Sequence, residues 1–312
     1  MSRQISVILC THNPHLVRLS RTLAALAGQD LDQDKWEVVL VDNASSVAFK
    51  DCTVGHRIRH LRVVRENRLG LTHARCRGIN ESLGKLLVFV DDDNLLRQNY
   101  LSAALTIAAD FPHLGVWGGS IEAEFETAPP VKVQPYLRLL ALRKIEAPLW
   151  SNVRTTSSAE PWGAGMCLRT DVALAYLRHC EAARIEISDR KGSSLLSGGD
   201  SDICSFVCSK GLGMAVFPQL TLIHIIPPGR LTEDYLMKIA EGISISHYLL
   251  EYKWSGEKPK LPPQLYQAIK LVYAHLVKSG IEKRMHLSSL RAPRKALQYI
   301  EEWNATPTDS RR

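Results

Sequence analysis

The feature of the sequence with the clearest chemical meaning is a run of three carboxylates, Asp91, Asp92 and Asp93, directly after the apolar segment 86–90. Adjacent anions repel one another unless a cation or hydrogen-bond donors compensate their charge. Carboxylate oxygens suit Mg²⁺ or Mn²⁺, which keep bound waters and take further ligands from phosphates. The run therefore predicts a divalent-metal site. The alternative is an acidic turn that caps the next helix.

Glycine-rich phosphate-binding loops are missing from the sequence. It contains neither G-x-x-x-x-G-K-[ST] nor a G-x-G-x-x-G that follows a predicted strand. A P-loop and a dinucleotide-binding fingerprint are therefore both excluded. We expect any bound phosphate to be held through the metal instead.

The elements that could position these carboxylates follow a regular rhythm. Short apolar runs rich in β-branched residues alternate with segments whose apolar residues recur at helical spacing. This rhythm predicts an α/β fold with right-handed βαβ units and a mostly parallel central sheet. Ligands of such sheets bind at the carboxyl ends of the strands, where Thr11, Asp42 and Asp91 would share one crevice. The predicted strands cover residues 5–10, 36–41, 61–64 and 86–90.

The rest of the chain divides into a less regular middle part and a helical end. Residues 127–161 are predicted to be mobile loops around one helix, suited to covering a substrate. A last strand over 214–217 leads to His224, and helical periodicity dominates after it. We therefore expect an α/β domain over residues 1–226 and a helical extension over residues 227–312.

Charge and cysteine content limit the possible functions. The net charge of +7 comes from residues 253–312, which carry twelve Lys and Arg against five Asp and Glu. The rest of the chain is near neutral, whereas a nucleic-acid groove needs clustered cations, so no nucleic-acid partner is expected. No run of about 18 apolar residues occurs, and the seven cysteines form no C-x-x-C pair. These features predict reduced thiols and a cytoplasmic protein.

Six motifs, in order along the chain, resemble those of the family-2 glycosyltransferases with the GT-A fold. The opening strand and loop end in T-H-N, the second strand ends in D-N-A-S, and the third motif begins R-E-N-R-L-G. The fourth is the D-x-D of Asp91 and Asp93, followed by P-W-G-A-G and G-D-S-D. The order and spacing of the motifs make the similarity specific. They lie within residues 5–13, 38–45, 65–80, 89–93, 161–166 and 199–202.

The resemblance implies inverting transfer of a sugar from a nucleotide-diphosphate sugar, expected to be UDP-linked, with Mn²⁺ or Mg²⁺ as cofactor. Asp93 would bind the metal, and Asp200 would take the proton of the acceptor hydroxyl. The family often has Glu-Asp where this chain has Gly199 and Asp200, so Asp202 is a possible substitute base near the acceptor. The donor contacts are expected from Thr11, Asn13, Asp42, Asn67, Arg75, Asp91, Asp92 and Arg230. Exposed, solvated side chains are the alternative for the two arginines.

Three further assignments have structural alternatives. His224 is predicted to be a second metal ligand, or else a structural histidine after the last strand. Trp162 beside Gly163 is expected to stack on the transferred sugar, or else to pack in the core. Asp200 is a catalytic base or a helix cap. A helix N-terminus favours its ionised form and burial near anions raises its pKa, and the sequence leaves open which effect is larger.

The acceptor is expected to be a glycan or lipid-linked hydroxyl in the synthesis of cell-surface polysaccharide or glycoconjugate. The basic C-terminal helices predict peripheral contact with an anionic membrane, with a solvated helical bundle as the alternative. Two other functions are alternatives. A sugar-phosphate nucleotidyltransferase would need glycines within residues 5–13, where there are none. A non-catalytic protein that binds nucleotide sugars or glycans is compatible with Gly199.

Overall fold

The computed structural model of the chain describes residues 3–47, 57–182, 185, 187, 189 and 195–305. Nine strands of these residues form one sheet at the centre of the fold. The strands are β1 (Ile5–Thr11), β2 (Trp36–Asn43), β3 (Leu61–Glu66), β4 (Leu86–Asp91), β5 (Asn94–Leu96), β6 (Leu114–Phe125), β7 (Leu149–Ser151), β8 (Cys167–Arg169) and β9 (Gly213–Ile226).

The strands follow the order β3-β2-β1-β4-β8-β6-β9-β5 along the sheet, and β7 also pairs with β9. Strand β1 runs parallel to β2 and β4, β2 runs parallel to β3, and β6 runs parallel to β9. The antiparallel pairs involve the short strands: β5 and β7 on β9, and β8 between β4 and β6. The sheet is mixed and mostly parallel, which confirms the predicted α/β class.

Eight helices accompany the sheet in the described part of the chain. Five lie within the α/β region: α1 (Leu16–Ala27), α2 (Leu71–Glu81), α3 (Tyr100–Asp110), α4 (Thr170–Ala182) and α5 (Gly199–Ser209). Three form the predicted helical C-terminal region: α6 (Glu233–Ser255), α7 (Gln264–Val277) and α8 (Gly280–Ala305). Short 3₁₀ segments cover Gln33–Lys35, Val131–Leu140 and Pro228–Leu231.

Strand β1 is covered by helices on both faces of the sheet. All of its residues are buried. Val7 and Leu9 belong to an apolar cluster with α1 and α3, whereas Ile8 and Cys10 belong to a second cluster with α2, α4 and α5. Such continuous burial is typical of parallel strands, and it explains the uninterrupted apolar run in the sequence. The packing of both faces fixes the point at which Thr11 reaches the carboxyl edge of the sheet.

The middle of the chain is more regular than the sequence indicates. Strand β6 is twelve residues long and pairs with β9. The segment 127–161, predicted to be mobile loops around one helix, contains the 3₁₀ segment Val131–Leu140 and the strand β7. Gly119 explains part of the difference between the irregular pattern of the sequence and the long strand in the structure. A Cβ at this position would overlap the backbone of Leu220 in β9. A residue that disrupts the sequence pattern therefore allows two strands to approach closely.

Helices α6 and α8 pack against the α/β region. Leu236 of α6 shares an apolar cluster with Ile226 and Leu140, and Leu249 of α6 packs with Ile300 of α8. Side chains from both sides of residue 226 thus share one cluster, and the domain boundary at this residue stays a prediction. No helix in the described ranges is long and apolar enough to cross a membrane.

Six of the seven cysteines fall in the described ranges, and none of these six forms a disulfide there. Cys10, Cys167 and Cys204 are buried. Burial raises the pKa of Cys10 to about 12. These thiols pack as small apolar groups. Cys52 lies outside the described residues.

Candidate active site

The carboxyl ends of β1, β2 and β4 stand side by side. Thr11 is paired with Asp42 across β1 and β2, and Cys10 is paired with Asp91 across β1 and β4. A cavity of about 310 Å³ opens at this edge of the sheet. The structure brings Thr11, the three consecutive carboxylates and Arg230 together in its wall, and it places Asp42 beside them. The polar part of the wall consists of Thr11, His12, Asn43, Asp91, Asp92, Asp93 and Arg230.

Asp93 has the most confined surroundings of the three carboxylates. It is 4% exposed. Its Oδ2 lies 2.9 Å from Nη2 of Arg230 and 3.6 Å from Nε2 of His224, and its Oδ1 accepts a hydrogen bond from Asn94 Nδ2 at 3.0 Å. Pairing of β5 with β9 sets Asn94 opposite His224. The short strand β5, which was not predicted from the sequence, thus brings His224 to Asp93.

Hydrogen bonds on both ring nitrogens orient His224. A carbonyl oxygen can only accept, so Nδ1 donates to the carbonyl of Leu140 at 3.2 Å. Nε2 is then the acceptor for Nη1 of Arg230 at 2.7 Å. Metal-binding histidines commonly donate their second ring nitrogen to a backbone carbonyl in this way, which fixes the tautomer.

A divalent metal fits the donors Asp93 and His224. In the part of the chain that the structure describes, no group of three or more His, Cys, Asp or Glu side chains is arranged to hold a metal ion. Mg²⁺ needs only one or two protein carboxylates when phosphates and waters complete its shell. Asp93 and His224 both already contact one cation, the guanidinium of Arg230. The site therefore accepts positive charge at this point, and substrate would have to complete the coordination.

Asp92 faces the electrostatic repulsion expected within the run of carboxylates. Its Oδ2 accepts a hydrogen bond from Oγ1 of Thr11. Burial, and then the charge of Asp93, raises the pKa of Asp92 to about 6. A cation bound beside these groups would favour the ionised form again. Thr11 thus has a direct role in orienting Asp92 within the cavity.

Polar side chains tie together the loops that follow β1, β2 and β3. Asp42 is 2% exposed and accepts a hydrogen bond from Nη1 of Arg65 at 2.6 Å. Arg65 also donates to Oδ1 of Asn67 at 3.1 Å. Asn13 accepts a hydrogen bond from the backbone N–H of Ser46 at 2.9 Å. Asn13 and Asn67 are exposed and do not line the cavity, so they lie in the loops around it.

Asn43 contributes to the cavity but was not predicted from the sequence. Its Nδ2 donates to the carbonyl of Arg68 at 2.7 Å, and its Oδ1 accepts from the backbone N–H of Gly70 at 2.8 Å. The side chain therefore holds the loop between β3 and α2 against the strand ends. Its position directly after Asp42, at the end of a predicted strand, could have indicated that Asn43 lies at the cavity.

Asp200 is the second residue of α5, and two backbone N–H groups bind its carboxylate. Oδ2 accepts from Gly163 at 2.9 Å, and Oδ1 accepts from Ser201 at 3.0 Å. Burial, and then the charge of Asp189, raises the pKa of Asp200 against the opposing effects of Arg75 and these N–H groups. Burial near anions is therefore the larger of the two effects that the sequence left open. A carboxylate with a raised pKa is a stronger base.

Arg75 is buried and pairs with Asp189. It is 8% exposed, and its Nη1 lies 3.1 Å from Oδ2 of Asp189. The alternative of an exposed arginine is therefore wrong, since α2 turns this side chain inward. The charges of Asp91 and Asp200 both act on the guanidinium. Gly163 permits this placement, because a Cβ there would overlap Nη2 of Arg75.

Asp189 is the most consequential residue that was not predicted from the sequence. Its Oδ1 accepts from the backbone N–H groups of Gly198 and Gly199 at 2.7 and 2.8 Å. It therefore caps the N-terminus of α5 while its second oxygen pairs with Arg75. No local capping motif indicates this role, because the capping carboxylate lies nine and ten residues before the two glycines that it binds.

The loop before β8 contributes an aromatic ring and a further carboxylate near Asp200. Trp162 is partly buried against the core, and the guanidinium of Arg143 lies 4.6 Å from its ring centroid. Glu160 accepts a hydrogen bond from the Ser201 hydroxyl. Burial, with a further contribution from the Asp200 charge, raises the pKa of Glu160 to about 7. Glu160 was not predicted from the sequence.

The structure buries Asp202 among the side chains of two other helices. Asp202 is 1% exposed. Its Oδ2 accepts from Tyr176 and Lys253 at 2.7 and 2.6 Å, and its Oδ1 accepts from Trp254 at 2.8 Å. The position two residues after Asp200 turns the side chain toward α4 and α6. Asp202 therefore joins these helices, in contrast to the acceptor contact predicted from the sequence.

A family model confirms the resemblance seen in the sequence. The model of glycosyl transferase family 2 matches residues 6–171, which is more than half of the chain. The chain belongs to glycosyl transferase family 2, and it is a glycosyltransferase.

Individual similar proteins match more distantly. Polypeptide N-acetylgalactosaminyltransferase 8 of Drosophila melanogaster is 35% identical over 91 residues, which are 28% of this chain and 15% of that protein. The crystal structure of S. aureus TarS 1-349 is 16% identical, covers 96% of this chain and 91% of its own, and has a TM-score of 0.49. The structure of TarS 1-349 in complex with UDP has the same coverage and a TM-score of 0.46.

Proposed function

We propose that this glycosyltransferase moves a sugar from a nucleotide-diphosphate sugar, expected to be UDP-linked, to an acceptor hydroxyl with inversion at the anomeric carbon. The reaction depends on Mn²⁺ or Mg²⁺. The acceptor is a glycan or a lipid-linked molecule in the synthesis of polysaccharide or glycoconjugate. Metal, nucleotide and acceptor each extend the family assignment and need their own test.

One observation carries the proposal: Asp93 Oδ2 and His224 Nε2 lie 3.6 Å apart at the carboxyl edge of the parallel strands. Both residues are buried, and both contact the positively charged side chain of Arg230. A carboxylate and an imidazole that face one cation position are the donors that Mn²⁺ accepts beside phosphate oxygens. The donor diphosphate would lie in the cavity next to them.

Asp93 and His224 would hold the metal. When bound, it supplies the positive charge that stabilises the diphosphate as a leaving group. Arg230 would then leave Asp93 and donate hydrogen bonds to the diphosphate, since a guanidinium binds two phosphate oxygens at once. Thr11 would keep Asp92 in place, and the loops that contain Asp42 would surround the nucleoside.

Asp200 is proposed to be the general base. The acceptor oxygen attacks the anomeric carbon while its proton passes to the Asp200 carboxylate. The bond between that carbon and the diphosphate oxygen breaks, and the nucleoside diphosphate leaves with the electron pair. A single displacement inverts the anomeric configuration. The N–H groups of Gly163 and Ser201 orient the carboxylate for this step.

The test is product analysis with a panel of UDP-sugars and glycan or lipid-linked acceptors, with Mn²⁺, with Mg²⁺ or with a chelator. We expect metal-dependent release of nucleoside diphosphate and an inverted product by NMR. Release of pyrophosphate from a nucleoside triphosphate and a sugar phosphate would instead indicate a nucleotidyltransferase. Stabilisation by UDP and Mn²⁺ without turnover of any acceptor would indicate a binding protein.

A matched pair of variants separates catalysis from helix capping at Asp200. Asp171 is also the second residue of its helix, and it also accepts from the next backbone N–H, at 2.9 Å. We expect Asp200→Asn to lower kcat at least about a hundredfold while donor binding persists, and Asp171→Asn to keep normal kcat. Equal activity of the two variants would assign Asp200 to capping alone.

A further inference from the structure

Helix α7 exposes an apolar arc. Leu265, Ile269 and Leu276 are 74%, 58% and 80% exposed, and Val272 and Tyr273 are exposed between them. Spacing of four, three and four residues places Leu265, Ile269, Val272 and Leu276 on one side of the helix. Within α7, Ala274 is the buried residue. The helix therefore turns a small side chain toward the protein and its large apolar side chains toward the surroundings.

This arrangement is the reverse of an ordinary surface helix, which buries its apolar side. Contiguous exposed apolar surface on a folded protein marks a site of contact with another surface. The five side chains Leu265, Ile269, Val272, Tyr273 and Leu276 define this surface, which we call the α7 arc. With fourteen residues, α7 is about 21 Å long.

The charge around the arc is positive. Residues 256–278 contain four lysines, at positions 258, 260, 270 and 278, against one glutamate, and α7 itself has no acidic residue. Lys278 pairs with Glu282, which leaves Lys258, Lys260 and Lys270 as the positive charges beside the arc. Lys258 and Lys260 are exposed in the segment that leads into the helix. Lys270 lies 5.4 Å from the ring of Tyr266 on the helix itself. Lysines of this kind extend their charged ends toward an anionic surface while their methylene groups cover apolar area.

We propose that the α7 arc docks on an anionic lipid bilayer, with the arc at the boundary between headgroups and acyl chains and with Lys258, Lys260 and Lys270 on lipid phosphates. Apolar burial and attraction to anionic lipids add in such a helix. A second copy of the chain fits less well as the occupant, because packing two arcs together would bring two positively charged segments into contact. Docking of this kind requires neither the metal nor the donor sugar.

The test is sedimentation of the full chain with vesicles of phosphatidylcholine, with and without about a third phosphatidylglycerol. We expect binding to the anionic vesicles that weakens as NaCl rises from about 0.05 to 0.5 M. The double variant Ile269→Glu with Leu276→Glu should lower the partition coefficient at least about tenfold. The control is Leu83→Glu with Val131→Glu, which adds equal charge at positions 69% and 80% exposed outside α7.

Circular dichroism of each variant establishes that it is folded before binding is compared. Failure of the unmodified chain to bind anionic vesicles at low salt would overturn the proposal, as would equal loss of binding in the two double variants. A dimer in light scattering that dissociates only in the α7 variant, without vesicle binding, would assign the arc to a second copy instead. All three results are obtained without substrate, so they do not depend on the proposed sugar transfer.

Discussion

The carboxylate of Asp189 occupies the space that a side chain at Gly199 would need. A Cβ on Gly199 would overlap Oδ2 of Asp189, and Oδ1 accepts the Gly199 backbone N–H at 2.8 Å. The departure from the Glu-Asp pattern at Gly199 is therefore a structural requirement of this chain. An acidic group is still present at the start of α5, but Asp189 supplies it from ten residues earlier in the chain.

Replacement of Gly199 by alanine should destabilise the fold. The added methyl group meets the Asp189 carboxylate, and overpacking of this kind costs about 1–3 kcal/mol in the free energy of unfolding. Urea denaturation measures the change. Gly229→Ala is the control, because a Cβ at Gly229 meets nothing within 4 Å. Equal stability of the two variants would show that the Asp189 carboxylate can move aside.

Asp189→Asn should change the pH profile as well as the rate. Loss of the negative charge at Asp189 lowers the pKa of Asp200, because that charge is one of the causes that raise it. The base must be ionised, so the acidic limb of kcat/KM should move to lower pH, and kcat should fall because Arg75 loses its partner. Asp110→Asn, at an exposed helix end, is the control. An unmoved acidic limb would contradict the electrostatic role of Asp189.

Glu160 should make stability fall as pH rises. Its pKa is about 7 in the folded chain against 4.5 for an ordinary glutamate, so the folded state holds a proton that the unfolded state releases. The free energy of unfolding that this proton contributes is fully present below about pH 4.5. It is lost as the pH rises to about 7. Glu160→Gln should remove this loss, which is about 2–3 kcal/mol at pH 8 relative to pH 5. Parallel pH dependences of unfolding in the variant and the unmodified chain would refute this.

The buried pair of Lys253 and Asp202 should be far more costly to break than an exposed pair. The two side chains are 6% and 1% exposed, so Lys253→Met would leave a buried charge without its partner and cost about 3–5 kcal/mol. Arg97→Met removes one member of a pair that is 51% and 53% exposed, and it should cost less than about 1 kcal/mol. Denaturant midpoints of both variants test the contrast. Similar losses would mean that Asp202 does not join α5 to α6.

Features that depend on local pattern were predictable from the sequence. The apolar strands β1, β2 and β4 and the polar residues at their ends are encoded by short runs, and parallel pairing then brings Thr11 beside Asp42. The cavity at the carboxyl edge follows from the same topology. The assignments of metal, donor and acceptor contacts to particular residues stay predictions.

Features that depend on distant contacts were not predictable. Strand β5 has three residues and exists because it pairs with β9, which brings His224 to Asp93. Asp189 binds Gly199 from ten residues earlier, which is outside the span of a local capping motif. The burial of Asp202 depends on Lys253 of α6. Sequence spacing indicates which residues share a local element, but it does not indicate which elements meet.

The most direct test of the central claim is a calorimetric titration of UDP into the chain, with and without Mn²⁺. If Asp93 and His224 hold a cation that binds the diphosphate, Mn²⁺ should tighten UDP binding at least about tenfold, and Asp93→Asn should abolish the enhancement. Asp110→Asn should keep it. Equal UDP affinity with and without Mn²⁺, or an unchanged enhancement in Asp93→Asn, would contradict the proposed metal site.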